Sequence, residues 1–438
     1  TMGLEAAAGK LGPIGDFVAC LNVITSTDAD LRRRQWASLA GLPKPGGYAL
    51  VVIPALESAL RVVEHADDDN LIHRSNFKAG LVYRGDAPQK HYTRDELAGI
   101  AAEPTPDALR DQLDAILDFT EHGRVMSLEK HAAWQLLHGV LAFGPDFKIL
   151  AGDQMVNALD WVFDGKPMKG WTLTITPQGI KAEIEAGKLG QGHDDQWLAI
   201  ISQWQVPSTQ RIMVAGQEFR LRDMIKRSMY DCWDGKEASW STIALSTHLD
   251  PIDQTWIARD GEQWTVEQLV SMEAGPIYED QIGQEMIFQS ACGGTHRLIG
   301  LAIALNNFRR QQPDAELTGG WLAAQRRIAW AVEQARKYQL PSGAFSVQFF
   351  QRSANSANLD EHLAATGHIL EFLAFALPKE RLEDAWVRRA VGYLCRLLER
   401  TKHLDLECGA LYHAAHGLVL YRMKVYGPRP KTIETAQR

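Results

Sequence analysis

The chain has 438 residues, of which 54 are acidic and 46 basic, for a formal net charge of −8. That balance gives no general attraction to nucleic acid or to an anionic membrane surface. Hydrophobic residues at 45% and charged residues at 23% are the proportions of a folded globular protein, and no apolar run reaches the ~20 residues that a membrane-spanning helix requires. Five widely spaced cysteines without a CxxC pair argue against a disulfide framework and against a zinc ribbon. A soluble protein is expected, in a compartment that the sequence leaves open, since a signal upstream of the Thr-Met-Gly start could have been removed.

Residues 1 to 104 read as an N-terminal extension and linker. Within them Gly41-Leu-Pro-Lys-Pro-Gly-Gly47 is turn-rich, and Ala55 to His65 reads as a helix ahead of the acidic run Asp67-Asp68-Asp69. From residue 105 the chain repeats itself. Pro106 to His122 carries Leu109, Leu113, Ile116 and Leu117 at helical spacing. Six strongly apolar segments follow, with heads at His131, His193, Glu237 to Trp240, His296, His368 and His413. Between them lie the amphipathic stretches Ala151 to Phe163, Leu221 to Cys232, Thr265 to Ala274, Trp321 to Tyr338 and Arg381 to Arg400.

A helix that is apolar nearly all round must be packed on all sides, whereas one with a charged face can meet water. Alternating the two kinds gives inner and outer helices. An open stack of such pairs ends in polar caps, yet Tyr412 to Tyr421 is as apolar as the middle segments, so closure is favoured. The expected fold is all-α, an (α/α)6 toroid of six helical hairpins over residues 105 to 427, with a tail at 428 to 438. Gly192, Gly293, Gly294, Gly367 and Gly409 precede the heads, and Thr295 and Thr366 are expected as helix caps. Each head would then sit in a first turn, beside unpaired backbone donors. The alternating Trp171-Thr-Leu-Thr-Ile-Thr176 and Ile180 to Ile184 predict a β-hairpin over one face.

His193, Asp194 and Asp195 form the densest polar cluster, with carboxylates beside an imidazole as general acid–base chemistry requires. Glu237 heads the segment without histidine and, with His296, completes the expected catalytic set. Gln196, Trp197, Trp240, Arg297, His368, Tyr412 and His413 are expected to contact substrate, Trp240 by stacking on a sugar face. Cys292 in Cys-Gly-Gly-Thr-His296 reads as a buried, inert thiol rather than a nucleophile. His413 with His416, and His368 with Glu371, share helix faces in a way that suits a divalent ion. No HExxH-type signature accompanies them, and neither metal nor cofactor is expected.

Gln339-Leu-Pro-Ser-Gly343-Ala-Phe345 is similar to the Gln-x-x-x-Gly-x-aromatic turn of squalene-cyclase-type repeats. Together with the His-headed helices it resembles the terpenoid-cyclase and protein-prenyltransferase toroids over roughly residues 105 to 425. Cys-Gly-Gly-Thr-His, Thr-Gly-His-Ile-Leu-Glu and Tyr-His-Ala-Ala-His also resemble elements of a planctomycete-type bacterial family, a likeness that implies no activity. The cyclase resemblance implies the ring fold and an isoprenoid-processing alternative. However, the cyclase acid motif Asp-x-Asp-Asp is matched only by Gly192-His193-Asp194-Asp195, without its leading Asp.

The polar heads suit a hydroxyl-rich ligand better than a hydrocarbon. The function expected is therefore a carbohydrate-active enzyme, glycoside hydrolase or polysaccharide lyase, acting on a small molecule or oligosaccharide. A non-catalytic ligand-binding or scaffold toroid is the competing expectation, and the oligomeric state is left open.

Overall fold

The computed structural model describes residues 106–184, 192–275 and 291–429, together with the backbone of four strands nearer the N-terminus. The chain divides between Ala102 and Glu103 into two compact units.

In the first unit β1 (Gly15–Leu21) runs parallel to β2 (Pro43–Val52), and β3 (Leu81–Arg84) pairs antiparallel with β4 (Ala87–Lys90). Part of the run read as a linker is therefore strand. Its register passes from Gly15 opposite Pro43 to Phe17 opposite Tyr48, so residues 44 to 47 bulge out of the ladder. A bulge is where proline, which lacks an N–H, and glycine are tolerated in a strand. The helix expected at Ala55 to His65 lies outside the described residues.

The second unit is mostly helical, with small antiparallel strand pairs. Its helices in chain order are α1 (Pro106–Asp118), α2 (Ala133–Phe143), α3 (Ala158–Phe163), α4 (Gln196–Gln203), α5 (Leu221–Tyr230), α6 (Ser239–His248), α7 (Val266–Ala274), α8 (Thr295–Gln311), α9 (Gly319–Lys337), α10 (Leu359–Ala376), α11 (Ala385–Arg400) and α12 (Cys408–Tyr426). A single-turn helix, Lys379–Leu382, precedes α11.

The even-numbered helices are buried nearly all round: every residue from Ser239 to Ser246 in α6 and from Thr295 to Ala304 in α8 is buried. The odd-numbered ones bury a single stripe. In α11 this stripe is Trp386, Val387, Ala390, Val391, Leu394, Leu397 and Leu398, with Glu399 and Arg400 exposed. Each fully buried Leu or Val on such a stripe stabilises the fold by about 1.5–3 kcal/mol relative to exposure, so the two patterns dictate where each helix can sit.

The packing follows that division. Helix α2 lies against α4, α4 against α6, α6 against α8, α8 against α10, α10 against α12, and α12 against α2. The α10–α12 contact is the closest, because Gly367 and Gly417 face the partner backbone. A Cβ on Gly367 would stand 2.6 Å from the Ala414 nitrogen, nearer than real Cβ atoms come. Helix α12 is also tied to α1 by a two-pronged ion pair, Arg422 Nε and Nη2 to the Asp114 carboxylate at 2.7 and 2.9 Å.

Between the helices run β-hairpins. The hairpin expected at Trp171 is present as β7 (Trp171–Thr176) and β8 (Gly179–Ile184), with Trp171 opposite Ile184 and Thr176 opposite Gly179. Three others, absent from the sequence reading, lead directly into α3, α5 and α7. They are β5 (Lys148–Ala151) with β6 (Gln154–Asn157), β9 (Arg211–Val214) with β10 (Gln217–Arg220), and β11 (Thr255–Ile257) with β12 (Gln263–Thr265). Each turns at a glycine of positive φ, Gly152, Gly216 and Gly261, the conformation tight hairpin turns demand.

The Gln339 turn is a clamp between the end of α9 and α11. Gln339 Nε2 donates to the carbonyls of Gly343 and Trp386, and Arg389 donates back to Gln339 Oε1. Gly343 has φ +96° and faces the Arg389 carbonyl too closely for any side chain. No helix among the described residues is long and apolar enough to cross a membrane.

Candidate functional site

One continuous stack of rings links all six even-numbered helices. His193, just ahead of α4, lies 5.7 Å from Trp240 of α6, which lies 4.0 Å from His296 of α8. His296 stands 5.1 Å from His368 of α10 and 5.2 Å from His413 of α12. His413 stacks on His368 at 3.8 Å and meets His138 of α2 edge-on at 5.1 Å. Five of the six expected heads therefore meet. The sixth, His131, lies ahead of α2 with its Nδ1 turned onto Ser127, and His138, two turns on, takes its place in the cluster.

The heads do not all sit in first turns. Helix α10 begins at Leu359, capped by the Asn358 side chain, so His368 is deep inside it. Thr366, expected as a cap, is likewise internal, and its hydroxyl accepts from the Phe345 amide at 3.2 Å. Thr295 is the first residue of α8 and its hydroxyl donates back to the Cys292 carbonyl. In α12 the cap is Glu407, whose carboxylate accepts from the amides of Gly409 and Ala410. Helix-dipole arguments therefore do not reach His368 or His413, because dipole effects fade beyond the first turn.

At one end of the stack the polar groups are half open to solvent. His193 Nδ1 lies 2.9 Å from Glu237 Oε2, with the two side chains 19% and 47% exposed. This bond, followed by the field of Arg297, holds the Glu237 carboxyl below its ordinary pKa, so it is ionised. Arg297 is largely buried, 3.5 Å from the Glu273 carboxylate, which also accepts from Ser239. Burial pushes the Glu273 pKa up against the pull of Arg297. Glu273, at the end of α7, is a member of the site that sequence reading missed, because nothing in an outer helix distinguishes it from its solvated neighbours.

Three consecutive residues here have three fates. His193 bonds Glu237, and Asp194 is exposed and pairs with Lys181 of the β7–β8 hairpin at 3.1 Å. Asp195 takes a left-handed φ of +63°, which an Asp tolerates better than most residues, and turns its carboxylate inward. There it accepts from Lys236, Ser241 and Ser228 at 3.2, 2.6 and 2.8 Å. Burial works to raise its pKa, but Lys236 and the hydroxyls outweigh burial and hold it below the ordinary carboxylate value. This carboxylate is saturated with partners and splints α4, α5 and α6 together.

At the other end the histidines are buried and Cys292 is partly buried. His138, His296, His368 and His413 are 1 to 5% exposed. Burial, reinforced by neighbouring imidazoles, depresses their pKa values, to about 3 for His138, His368 and His413 and well below normal for His296. All four are neutral at pH 7. Glu371 lies beneath, with the Nδ1 atoms of His413 and His416 at 2.9 and 2.7 Å. Cys292, with φ +53° ahead of Gly293 and Gly294, approaches His296 and His368. Its thiol is pushed up to about 12 by burial, so it is no activated nucleophile.

The remaining expected contacts are placed as follows. Trp240 is sandwiched between His193 and His296 and 2% exposed. Gln196 is buried, and its Oε1 lacks a partner among the described residues. Tyr412 is 2% exposed and packs edge-on against Phe143 and Phe147. Trp197 lines a cavity of about 350 Å³ beneath the β7–β8 hairpin, with Leu137, Trp171 and Met213. A second cavity, about 340 Å³, lies toward the opposite helix ends, where Ser202, His248, Asn307 and Arg310 line it.

Comparison of the chain with protein-family models, with curated proteins and with solved structures finds no match.

Proposed function

We propose that residues 105 to 427 form an (α/α)6 toroid and that the half-open end of its ring stack is the active site of a carbohydrate-active hydrolase or lyase. The return of the even-numbered helices from α12 onto α2 supports the ring. The observation that carries the chemistry is the 2.9 Å contact between His193 and Glu237, two groups from separate repeats that stay accessible while their surroundings are buried. An ionised Glu237 is equipped as a base toward water or toward the acidic carbon beside a uronate carboxylate. His193 acts in its doubly protonated form, donating Nδ1–H to Glu237 and giving its Nε2 proton to the leaving oxygen, while Glu237 takes up the proton of the water or carbon. Arg297 supplies fixed positive charge nearby, and Glu273 holds it in place.

A second reading, the non-catalytic toroid in which histidines tie neighbouring helices, draws support from the buried and internally bonded Glu371 network. The test is a panel of neutral and uronate-containing oligosaccharides, with reducing ends and unsaturated products both followed. Wild-type protein is expected to cleave one class, and Glu237→Gln and His193→Ala to lower kcat by about 10²–10⁴. Asp194→Asn should stay near wild type. Equal turnover in all four proteins removes the dyad from the chemistry, and no cleavage of any panel member leaves the scaffold reading.

A further inference from the structure

The buried end of the stack has a chemistry that the proposed acid–base pair does not use. Cys292, His296 and His368 each present a ligand atom, and these atoms lie within 4.8 Å of one another. His368 is 3% exposed, its Nδ1 lies 2.7 Å from the Ala364 carbonyl, and its Nε2 is buried with no hydrogen-bond partner among the described residues. A backbone carbonyl at Nδ1 fixes the N–H there and leaves the Nε2 lone pair free, the arrangement found behind metal-bound histidines. A buried lone pair with nothing to accept from is costly to maintain, and a cation removes that cost.

We infer that Cys292, His296 and His368 hold one divalent first-row transition ion, of which zinc suits the sulfur and nitrogen donor set best. The sequence alone led to the opposite expectation, because the three ligands come from the turn before α8, α8 itself and α10 rather than from a local motif. The surroundings of the three ligands suit a divalent ion, because the Glu371 carboxylate lies within 4.8 Å of ligand atoms of His368 and His413. Ring spacing supports it as well, since His296 and His368 stand 5.1 Å apart, close to the ~5 Å between ring centres on one tetrahedral ion with N ligands at about 2.0–2.1 Å. The consecutive positive φ values at Cys292, Gly293 and Gly294 mark a turn whose shape is specialised. Binding forms a metal–sulfur bond and releases the thiol proton to solvent, one proton per ion, while the imidazoles bind as they are.

The test is metal content and cobalt titration of the full chain after chelator dialysis. One ion per chain is expected, with a tetrahedral visible spectrum, a thiolate-to-cobalt charge-transfer band and release of one proton. Cys292→Ser should remove the charge-transfer band, and His296→Gln and His368→Gln should weaken binding at least tenfold. His403→Ala, at an exposed histidine, should bind as wild type. Alanine variants at the two histidines repeat the test if the glutamine forms do not fold. Failure of folded wild type to bind one cobalt ion, or equal binding in the ligand variants, overturns the site. Neither result depends on turnover, so the metal site and the acid–base pair stand or fall separately.

Discussion

The two ends of the ring stack are built from the same residue types and behave in opposite ways. Glu371 at the buried end, and Asp195 turned inward beneath His193, each accept from several groups, so their carboxylates hold helices together. Around Glu237 and His193 a single bond joins two groups that water can reach, so little of the fold depends on them. The same imidazole–carboxylate contact is structural where it is buried and available for proton transfer where it is half open.

Substitutions should separate the two ends in graded fashion. The largest effect is expected at Asp195→Ala, which strands the buried Lys236 ammonium, and about 3–5 kcal/mol of stability should disappear in denaturant unfolding. The same pair sets a pH window. Asp195 has a folded pKa below its unfolded value, so its contribution is present above the unfolded value near 4 and is lost as pH falls through the folded one. Lys236 is raised, by Asp195 against the opposing effect of burial, so its contribution is present below its unfolded value and is lost as pH rises through the folded one. Stability curves of wild type and Asp195→Asn should therefore diverge most between these limits and converge in acid. If the curves run parallel throughout, Asp195 is not the splint described.

A smaller effect is expected at Glu371→Gln, where one amide oxygen replaces a carboxylate serving two imidazoles. Leaving one buried donor unpaired should cost about 1–3 kcal/mol, measured as a shift of the unfolding midpoint. The smallest belongs to Glu237→Gln, because a half-exposed pair contributes at most about 1 kcal/mol. A loss at Glu237 as large as that at Glu371 would erase the distinction between the two ends.

Much of the helical pattern was legible in the sequence, since burying a helix all round or on one stripe demands different residue spacings, and α6 and α11 display the two cases. Five of the six heads were legible for the same reason; His131 was not, because α2 starts only at Ala133 and His138 takes its place in the cluster. The three hairpins before α3, α5 and α7 were missed although Gly152, Gly216 and Gly261 recur at equivalent places. Strands of three or four residues show too few alternations to register. Within the site, the fates of His193, Asp194 and Asp195 depend on one backbone angle at Asp195 that no residue pattern records. The convergence of Cys292, His296 and His368 was hidden because it arises from packing between α8 and α10.

The most direct test of the account is a double-mutant cycle in turnover on a cleaved oligosaccharide, comparing His193→Ala, Glu237→Gln and the two combined. Groups that act as one unit are non-additive, so the double variant is predicted to be no slower than the slower single variant, with melting unchanged. Losses that multiply, or single variants that turn over like wild type, would contradict a shared catalytic role for the pair.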